Sequence, residues 1–186
     1  MAEPSRSDER DADLVRRFLR GDPGGFEELL RRAGKPVYNF ARRFLGDPES
    51  ARDVFQETML AVLRTLDRFD ASKPFLPWVL GIALNRCHEE RRRKARAAGP
   101  AGGEKAPEPP DRSPGPERLA ADREDAARIA AAVAALDDAH RAVFVLRVYH
   151  EFPYGQIGEI LNISEGTAKS RMHYAVQSVR KALGMT

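Results

Sequence analysis

The segment from Phe152 to Leu183 carries residue types whose spacing suits contact with duplex DNA. Small, hydroxylated and cationic side chains recur on its outer side, and no acidic residue follows Glu165. Hydroxyl groups at the tip of a helix can contact base edges in the major groove, and cations further along can bind phosphates. The outward-facing residues of this predicted helix are Gly166, Thr167, Lys169, Ser170, Arg171, His173, Gln177, Arg180 and Lys181. An ordinary solvated helix in a small bundle would present similar residues.

Two helices joined by a tight turn must position these side chains. Pro153 fits the opening turn of the first helix, because its missing N–H would have no partner there. Asn162 accepts a left-handed backbone and so ends that helix, and Ser164 caps the second. The inward stripe of the second helix consists of Ala168, Met172, Ala175, Val176, Val179 and Leu183. The pattern predicts a helix-turn-helix, a motif that places its second helix in the major groove.

Composition and charge favour a helical protein that binds one long ligand at two places. The 186 residues give room for one large or two small domains, and strand-like alternation is scarce. The net charge of +3 is too small to identify a nucleic-acid partner, but the charge is unevenly placed. Residues 86–96 hold six basic and two acidic side chains, and residues 166–186 hold four basic and none acidic. Residues 119–138, between them, hold two basic and five acidic side chains.

The same sequence argues against catalysis, metal binding and membrane insertion. The one cysteine, Cys87, excludes an internal disulfide and fits a reducing cytosol. The four histidines lack the paired spacing that zinc requires, and the sequence holds no phosphate-binding loop or catalytic triad. The first ten residues are charged and polar, unlike a signal peptide. We therefore predict a cytoplasmic protein with no catalytic residue, no metal, no cofactor and no membrane insertion.

Four amphipathic helices are predicted in the N-terminal part of the chain. The first follows a disordered start over residues 1–10 and is capped by Asp11 or Asp13. Gly34 and Pro36 are expected to kink or split the second helix, since proline removes an interior hydrogen bond.

The third and fourth helices carry two further surfaces. The third runs from about Pro48 to Phe69, and its outer side is an exposed, mostly acidic ridge that could bind a partner or simply be solvated. This ridge consists of Asp53, Gln56, Glu57 and Leu60. The loop from Phe69 to Trp78 is rich in aromatic residues and leads into the cationic fourth helix. Aromatic rings beside cations suit unstacked bases and their phosphates, although Phe75 and Trp78 could instead close the core.

Residues 97–118 have the composition of a linker. They include six of the 13 prolines, four glycines and four alanines, with no leucine, isoleucine, valine or aromatic residue. Helix resumes over residues 119–136, and Asp137 or Asp138 caps the next helix. The predicted fold is therefore all-α: two small helical domains, joined by a flexible Pro/Gly/Ala-rich linker, of which the C-terminal one is a helix-turn-helix.

Three motifs stand out in order along the chain: Asp-Val-Phe-Gln-Glu-Thr at 53–58, Phe-Leu-Pro-Trp at 75–78 with Ile-Ala-Leu-Asn at 82–85, and Ile-Ser-Glu-Gly-Thr-Ala-Lys-Ser-Arg at 163–171. In their order and separation they resemble the extracytoplasmic-function sigma factors of bacterial RNA polymerase, group IV of the sigma-70 family. The resemblance implies that residues 11–96 are sigma region 2, which binds core polymerase and the minus-ten element. It implies that residues 119–186 are region 4, which binds the minus-thirty-five element.

The resemblance also implies partners and site residues. The ridge would bind the clamp helices of the largest polymerase subunit through Asp53, Gln56, Glu57 and Leu60. A base flipped from the minus-ten element would be held by Lys73, Phe75, Trp78, Asn85, Arg86, Arg92 and Arg93. The minus-thirty-five duplex would be read by Ser164, Glu165, Gly166, Thr167, Lys169, Ser170, Arg171 and His173. Further implied partners are the flap of the second-largest subunit and an anti-sigma factor, and the holoenzyme would lie on the nucleoid.

Pro77, His88 and Tyr174 depart from the usual pattern of this family, which affects the expected DNA preference. A free-standing helix-turn-helix repressor or activator is the alternative interpretation. It would need a dimer or a ligand-binding domain to supply affinity, and the sequence shows neither a zipper nor a sensing pocket. A nucleic-acid-processing enzyme is a third class, for which no catalytic constellation is present.

Overall fold

A computed structural model describes residues 6–98 and 116–185, and the side chains of 10–97 and 124–185. Those residues form eight α-helices and a 3₁₀ turn, with no strand, which confirms the all-α prediction. The N-terminal helices are α1 (Arg6–Leu19), α2 (Pro23–Leu45), α3 (Pro48–Thr65) and α4 (Phe75–Ala98), with the 3₁₀ turn at Leu66–Arg68. The C-terminal helices are α5 (Pro116–Ala134), α6 (Asp138–Val148), α7 (Tyr154–Leu161) and α8 (Glu165–Ala182).

Aspartates cap three of these helices, and for α6 the sequence predicts Asp137 or Asp138 in this role. Asp22 accepts a hydrogen bond from the backbone of Gly24 at 2.9 Å, and a proline follows it in the first turn of α2. Asp47 caps α3 in the same way. Of the two candidates for the cap of α6, Asp137 is the one that accepts from the backbone, at His140, at 3.0 Å.

The buried side chains of both halves meet in one apolar core. In the N-terminal half α2 lies against α1, α3 and α4, and in the C-terminal half α8 lies against α6 and α7. The largest fully buried side chains are Phe40, Phe44, Leu29, Leu66, Leu80, Leu146 and Ile157. Packing of this kind, rather than local propensity, supplies most of the stability of helices in water.

Arg141 of α6 joins the two halves. Its guanidinium is buried, with 3% of the residue exposed, and donates to the carbonyl of Phe44 at the end of α2 at 3.0 Å. It also donates to the last carbonyls of α5 and its following turn: Val133 at 3.2 Å, Leu136 at 2.7 Å, and Ala134. One side chain thus satisfies backbone acceptors that helix ends leave without intrahelical partners.

Charged and aromatic side chains extend this contact between the halves. Asp138 at the start of α6 binds Arg91 of α4, and its Oδ2 lies 3.1 Å from Nδ1 of His88. The guanidinium of Arg43 lies 3.5 Å from the ring centroid of Tyr149. Helices α5 and α6 therefore pack on α2, and α7 packs on α4, through specific polar contacts as well as through the core.

The first helix starts earlier than predicted. Because α1 begins at Arg6, residues 6–10 are helical rather than disordered, and residues 1–5 lie outside the described residues. Neither Asp11 nor Asp13 caps this helix. Asp11 is nearly buried and accepts a hydrogen bond from Arg32 of α2 at 2.8 Å, which holds its carboxylate against the neighbouring helix instead.

Pro36 does not divide α2, which is one continuous helix rather than two. A proline inside a helix costs about 3 kcal/mol. The side chains of Ala33 and Val37 on either side of it are buried, as is that of Phe40 one turn later. Tertiary packing on both sides of Pro36 therefore outweighs the local cost.

The aromatic loop is shorter than predicted, because α4 already begins at Phe75. Helix α3 itself ends at Thr65, before the predicted Phe69, and the 3₁₀ turn follows it. Pro77 is the third residue of α4, a position at which a backbone N–H has no intrahelical partner, so proline loses nothing there.

The predicted linker is helical at both ends. Helix α4 continues to Ala98 and α5 starts at Pro116, whereas the sequence placed the linker over residues 97–118 and the next helix over 119–136. Residues 99–115 lie outside the described residues.

Candidate nucleic-acid interface

The tight turn between α7 and α8 has the conformation that the sequence predicts. Asn162 is left-handed, with φ 52° and ψ 49°, and the N–H of Ile163 donates to the carbonyl of Gly158 at 2.9 Å. Ser164 then caps α8 by accepting from the N–H of Thr167 at 3.0 Å. Pro153 lies one residue earlier than predicted, at the cap of α7 rather than in its first turn. The helix-turn-helix prediction is confirmed.

The inward and outward faces of α8 separate as predicted. Four of the six inward residues are buried, and Val176 and Leu183 are half-buried. The predicted minus-thirty-five residues are all exposed or half-buried: Ser164, Glu165, Gly166, Thr167, Lys169, Ser170, Arg171 and His173. Together they form one continuous surface at the N-terminal end of α8, with the carboxylate of Glu165 2.6 Å from the ammonium of Lys169.

Two residues that the sequence reasoning did not single out support this surface from the side. The ring of Tyr154, at the start of α7, lies 5.1 Å from the guanidinium of Arg147 and 6.0 Å from the ammonium of Lys169. Arg147 also donates to the carbonyl of Phe152 at 3.1 Å. No local pattern in the sequence indicates this contact, because Arg147, Tyr154 and Lys169 lie on three different helices.

On α4, three of the predicted minus-ten residues share one face. Trp78, Asn85 and Arg92 recur every seven residues, close to two helical turns, so their side chains point the same way. Asn85 and Arg92 are exposed and Trp78 is half-buried. Lys73 is exposed in the loop before the helix.

Phe75 differs from the rest of this set because it is buried. It packs edge-on against Phe69, with ring centroids 5.5 Å apart, and it lies 5.8 Å from Trp78. Phe69 and Trp78 are 4.9 Å apart, so the three rings form one cluster. The sequence left open whether Phe75 binds a base or closes the core. Phe75 closes the core, because its ring is buried and packs against Trp78.

Ion pairs neutralise two of the three predicted minus-ten arginines on α4. Arg86 binds Glu89 at 2.7 Å, and Arg93 binds the buried carboxylate of Glu90 at 2.7 Å. Of the two remaining predicted cations, Arg92 and Lys73, neither has an ion pair among the described residues. Counting basic residues over 86–96 did not separate these groups, although the spacing of three residues in both pairs is visible in the sequence.

The acidic ridge on α3 is exposed at each predicted position: Asp53, Gln56, Glu57 and Leu60. Leu60 is 51% exposed, as is Leu19 on α1. Glu57 and Leu60 also line a groove of about 450 Å³, whose opposite wall is formed by Arg86, Glu89 and Arg93 of α4. The ridge and the predicted minus-ten residues are therefore adjacent surfaces.

Two titratable groups near these surfaces are neutral near pH 7. Burial, together with the charge of Arg43, lowers the pKa of His150 to about 4, and its ring lies between Phe40 and Phe152. Burial raises the pKa of the Cys87 thiol well above its usual range, so this cysteine is not a nucleophile.

Within residues 6–98 and 116–185, no three His, Cys, Asp or Glu side chains come together as a metal site would require. Over the same residues, none of the helices combines the length and apolarity needed to cross a bilayer.

Two protein-family models match the chain. The model described as Sigma-70 region 2 matches residues 29–97, and the one described as Sigma-70, region 4 matches residues 132–181. The ECF RNA polymerase sigma factor SigL of Mycobacterium tuberculosis is 36% identical over 152 residues, which cover 79% of this chain and 82% of SigL. SigW of Bacillus subtilis, another ECF RNA polymerase sigma factor, is 29% identical over 176 residues, covering 91% and 94%.

Solved structures share the fold. CnrH in complex with the cytosolic domain of CnrY matches with a TM-score of 0.72 at 24% identity, over 94% of this chain and 97% of that one. RpoE from Bartonella quintana, in complex with the anti-sigma factor NepR, matches with a TM-score of 0.70 at 20% identity, over 86% and 96%.

Proposed function

The chain belongs to the extracytoplasmic-function family of RNA polymerase sigma factors, and on that premise we propose which of its surfaces bind polymerase and promoter. Residues 11–96 act as region 2, residues 97–118 as the linker, and residues 119–186 as region 4. Region 2 binds the clamp helices of the largest polymerase subunit and captures a minus-ten base. Region 4 binds the minus-thirty-five duplex and the flap of the second-largest subunit.

The observation that carries this proposal is the pairing of two unlike surfaces on one chain. An exposed ridge whose two charged residues, Asp53 and Glu57, are both acidic lies on α3, and an outward face with no acidic residue after Glu165 lies on α8. An acidic ridge repels DNA and suits a protein partner, whereas the α8 face suits bases and phosphates. A factor that tethers polymerase to promoter needs both, and linking the two contacts raises the overall affinity.

Three further features follow from this role. The chain has no catalytic site of its own, and the polymerase performs the chemistry. It works in the cytoplasm, on the nucleoid when it is part of the holoenzyme. An anti-sigma factor holds it before use, a proposal supported by the two structural neighbours, which were solved with CnrY and with the anti-sigma factor NepR.

Run-off transcription with sigma-free core polymerase on a library of genomic templates tests the proposed function. We expect discrete transcripts only when the chain is added, with start sites downstream of a common pair of elements. A pull-down with core polymerase provides an independent check. A chain that ignores the polymerase and binds duplex DNA unaided would be a free-standing regulator instead.

The double substitution Gln56→Ala with Glu57→Ala should weaken binding to core polymerase by roughly ten- to hundredfold, as expected for exposed residues in the centre of a contact surface. Titration of fluorescently labelled protein with core polymerase measures the effect. Glu27→Ala with Asp67→Ala, which removes two exposed carboxylates outside the ridge, is the matched control. Unchanged holoenzyme formation, with the helices intact by circular dichroism, would contradict the assignment of the ridge.

Lys169→Ala and Arg171→Ala should each weaken binding of the holoenzyme to the minus-thirty-five element. Each loss of a phosphate contact should also lower the slope of log affinity against log salt by about 1. Lys35→Ala removes the same charge from an exposed position on α2 and should leave the slope unchanged. If the salt response of all three variants equals that of the parent, the phosphate contacts lie elsewhere.

A further inference from the structure

Tyr174 is an aromatic residue on the outer side of α8 that none of the binding sets includes. It is 58% exposed, the highest value for any large apolar side chain in the described part of the chain. The ring thus stands in water beside the residues proposed to bind DNA, where an apolar group of the ligand could cover it.

The position of Tyr174 along α8 places it on the DNA-facing side. It follows Thr167 by seven residues and Ser170 by four, so the three side chains lie one above another on the same face. The residues that anchor the opposite face in the core are Ala168, Met172, Ala175 and Val179. A major-groove ligand that contacts Ser170 therefore lies within reach of the tyrosine.

Two imidazoles hold the ring in place. His140 of α6 meets it edge-on, with centroids 6.2 Å apart and planes at 77°, and His173 does so at 5.7 Å and 73°. His140 is itself fixed, because its Nδ1 lies 2.5 Å from a carboxylate oxygen of Asp137. His173 is likewise 3.0 Å from the amide of Gln177. A ring that is already ordered loses less entropy when it binds.

The chemistry of this ring selects one base. In the major groove the only apolar group on a base edge is the C5-methyl of thymine, and the other bases offer polar atoms there. Resting on the proposed role of α8, we propose that Tyr174 is a specificity-determining residue that contacts a thymine methyl in the minus-thirty-five element. Its phenol oxygen is free to contact water or the backbone and contributes no base preference.

The test uses the full chain in holoenzyme and a promoter library whose minus-thirty-five element is randomised. The parent should prefer thymine at one position, and Tyr174→Ala should lose that preference while affinity for the preferred element falls by roughly five- to tenfold. Tyr174→Phe should keep the preference, because the ring alone makes the contact. The salt dependence of Tyr174→Ala should equal that of the parent, in contrast to Lys169→Ala.

Deoxyuridine in place of thymidine at that position removes only the methyl group. It should weaken binding of the parent by the same factor and leave Tyr174→Ala unaffected. Val148→Ala, which trims another exposed apolar side chain, is the control and should behave like the parent. Equal binding of the parent to both bases, or loss of the preference in Tyr174→Phe, would overturn the inference. If Lys169→Ala also has no effect on the holoenzyme, it is the proposed role of α8 that fails.

Discussion

Arg141→Met is expected to lower the free energy of unfolding by roughly 3 to 5 kcal/mol. The substitution leaves buried carbonyl oxygens without donors, and each unsatisfied buried acceptor costs about 1–3 kcal/mol. The oxygens concerned are those of Phe44, Ala134 and Leu136, because the carbonyl of Val133 also accepts from the N–H of Leu136 at 3.2 Å. Some of them will find water once the side chain is removed, so the sum is smaller than three full penalties. Urea denaturation followed by circular dichroism measures the loss, and the melting temperature should fall by about 10 °C.

A second arginine on the same helix supplies the control. Arg147 is half-buried and donates to one carbonyl, that of Phe152, so Arg147→Met should cost about 1 kcal/mol. Arg141→Lys keeps the charge but loses the planar fork, and it should lie between the two methionine variants. If Arg141→Met costs no more than Arg147→Met, the buried guanidinium is not what joins α2, α5 and α6.

Local signals in the sequence were sufficient for the starts of α2, α3 and α8. Asp22 and Asp47, each followed by a proline, mark the starts of α2 and α3, and Asn162 with Ser164 marks the turn before α8. These signals act within three or four residues, so they do not depend on the rest of the fold. The exposed ridge and the outward face of α8 follow from helical spacing in the same way.

The structural features that the sequence did not predict depend on contacts between segments that are far apart in the chain. Pro36 stays inside α2 because α2 packs against five other helices, and Asp11 is held by Arg32 rather than capping α1. Arg141 binds Phe44, 97 positions earlier in the chain, and no pattern within α6 announces it. The same limit applies to Phe75, whose burial is decided by where Phe69 lies.

Gly158→Ala is expected to damage the helix-turn-helix, although alanine is normally the better helix former. A Cβ atom at this buried position would lie 2.7 Å from the backbone oxygen of Ile163, a contact that only a shift of the turn can relieve. Forcing a methyl into such a site costs about 1–3 kcal/mol. The shift also re-aims α8, so the holoenzyme should bind its minus-thirty-five element at least roughly tenfold more weakly.

Gly155, three residues earlier in α7, separates this steric effect from helix propensity. A Cβ atom there would meet only the far end of the Glu165 side chain, at 3.6 Å, which is an ordinary contact. Gly155→Ala should therefore raise stability by about 0.5–1 kcal/mol and preserve DNA binding. Urea denaturation and a binding titration on both variants decide the matter, because opposite signs in stability are expected for the same chemical change. If both variants are stabilised and bind DNA equally well, the backbone oxygen of Ile163 lies farther from Gly158 than it does in this structure.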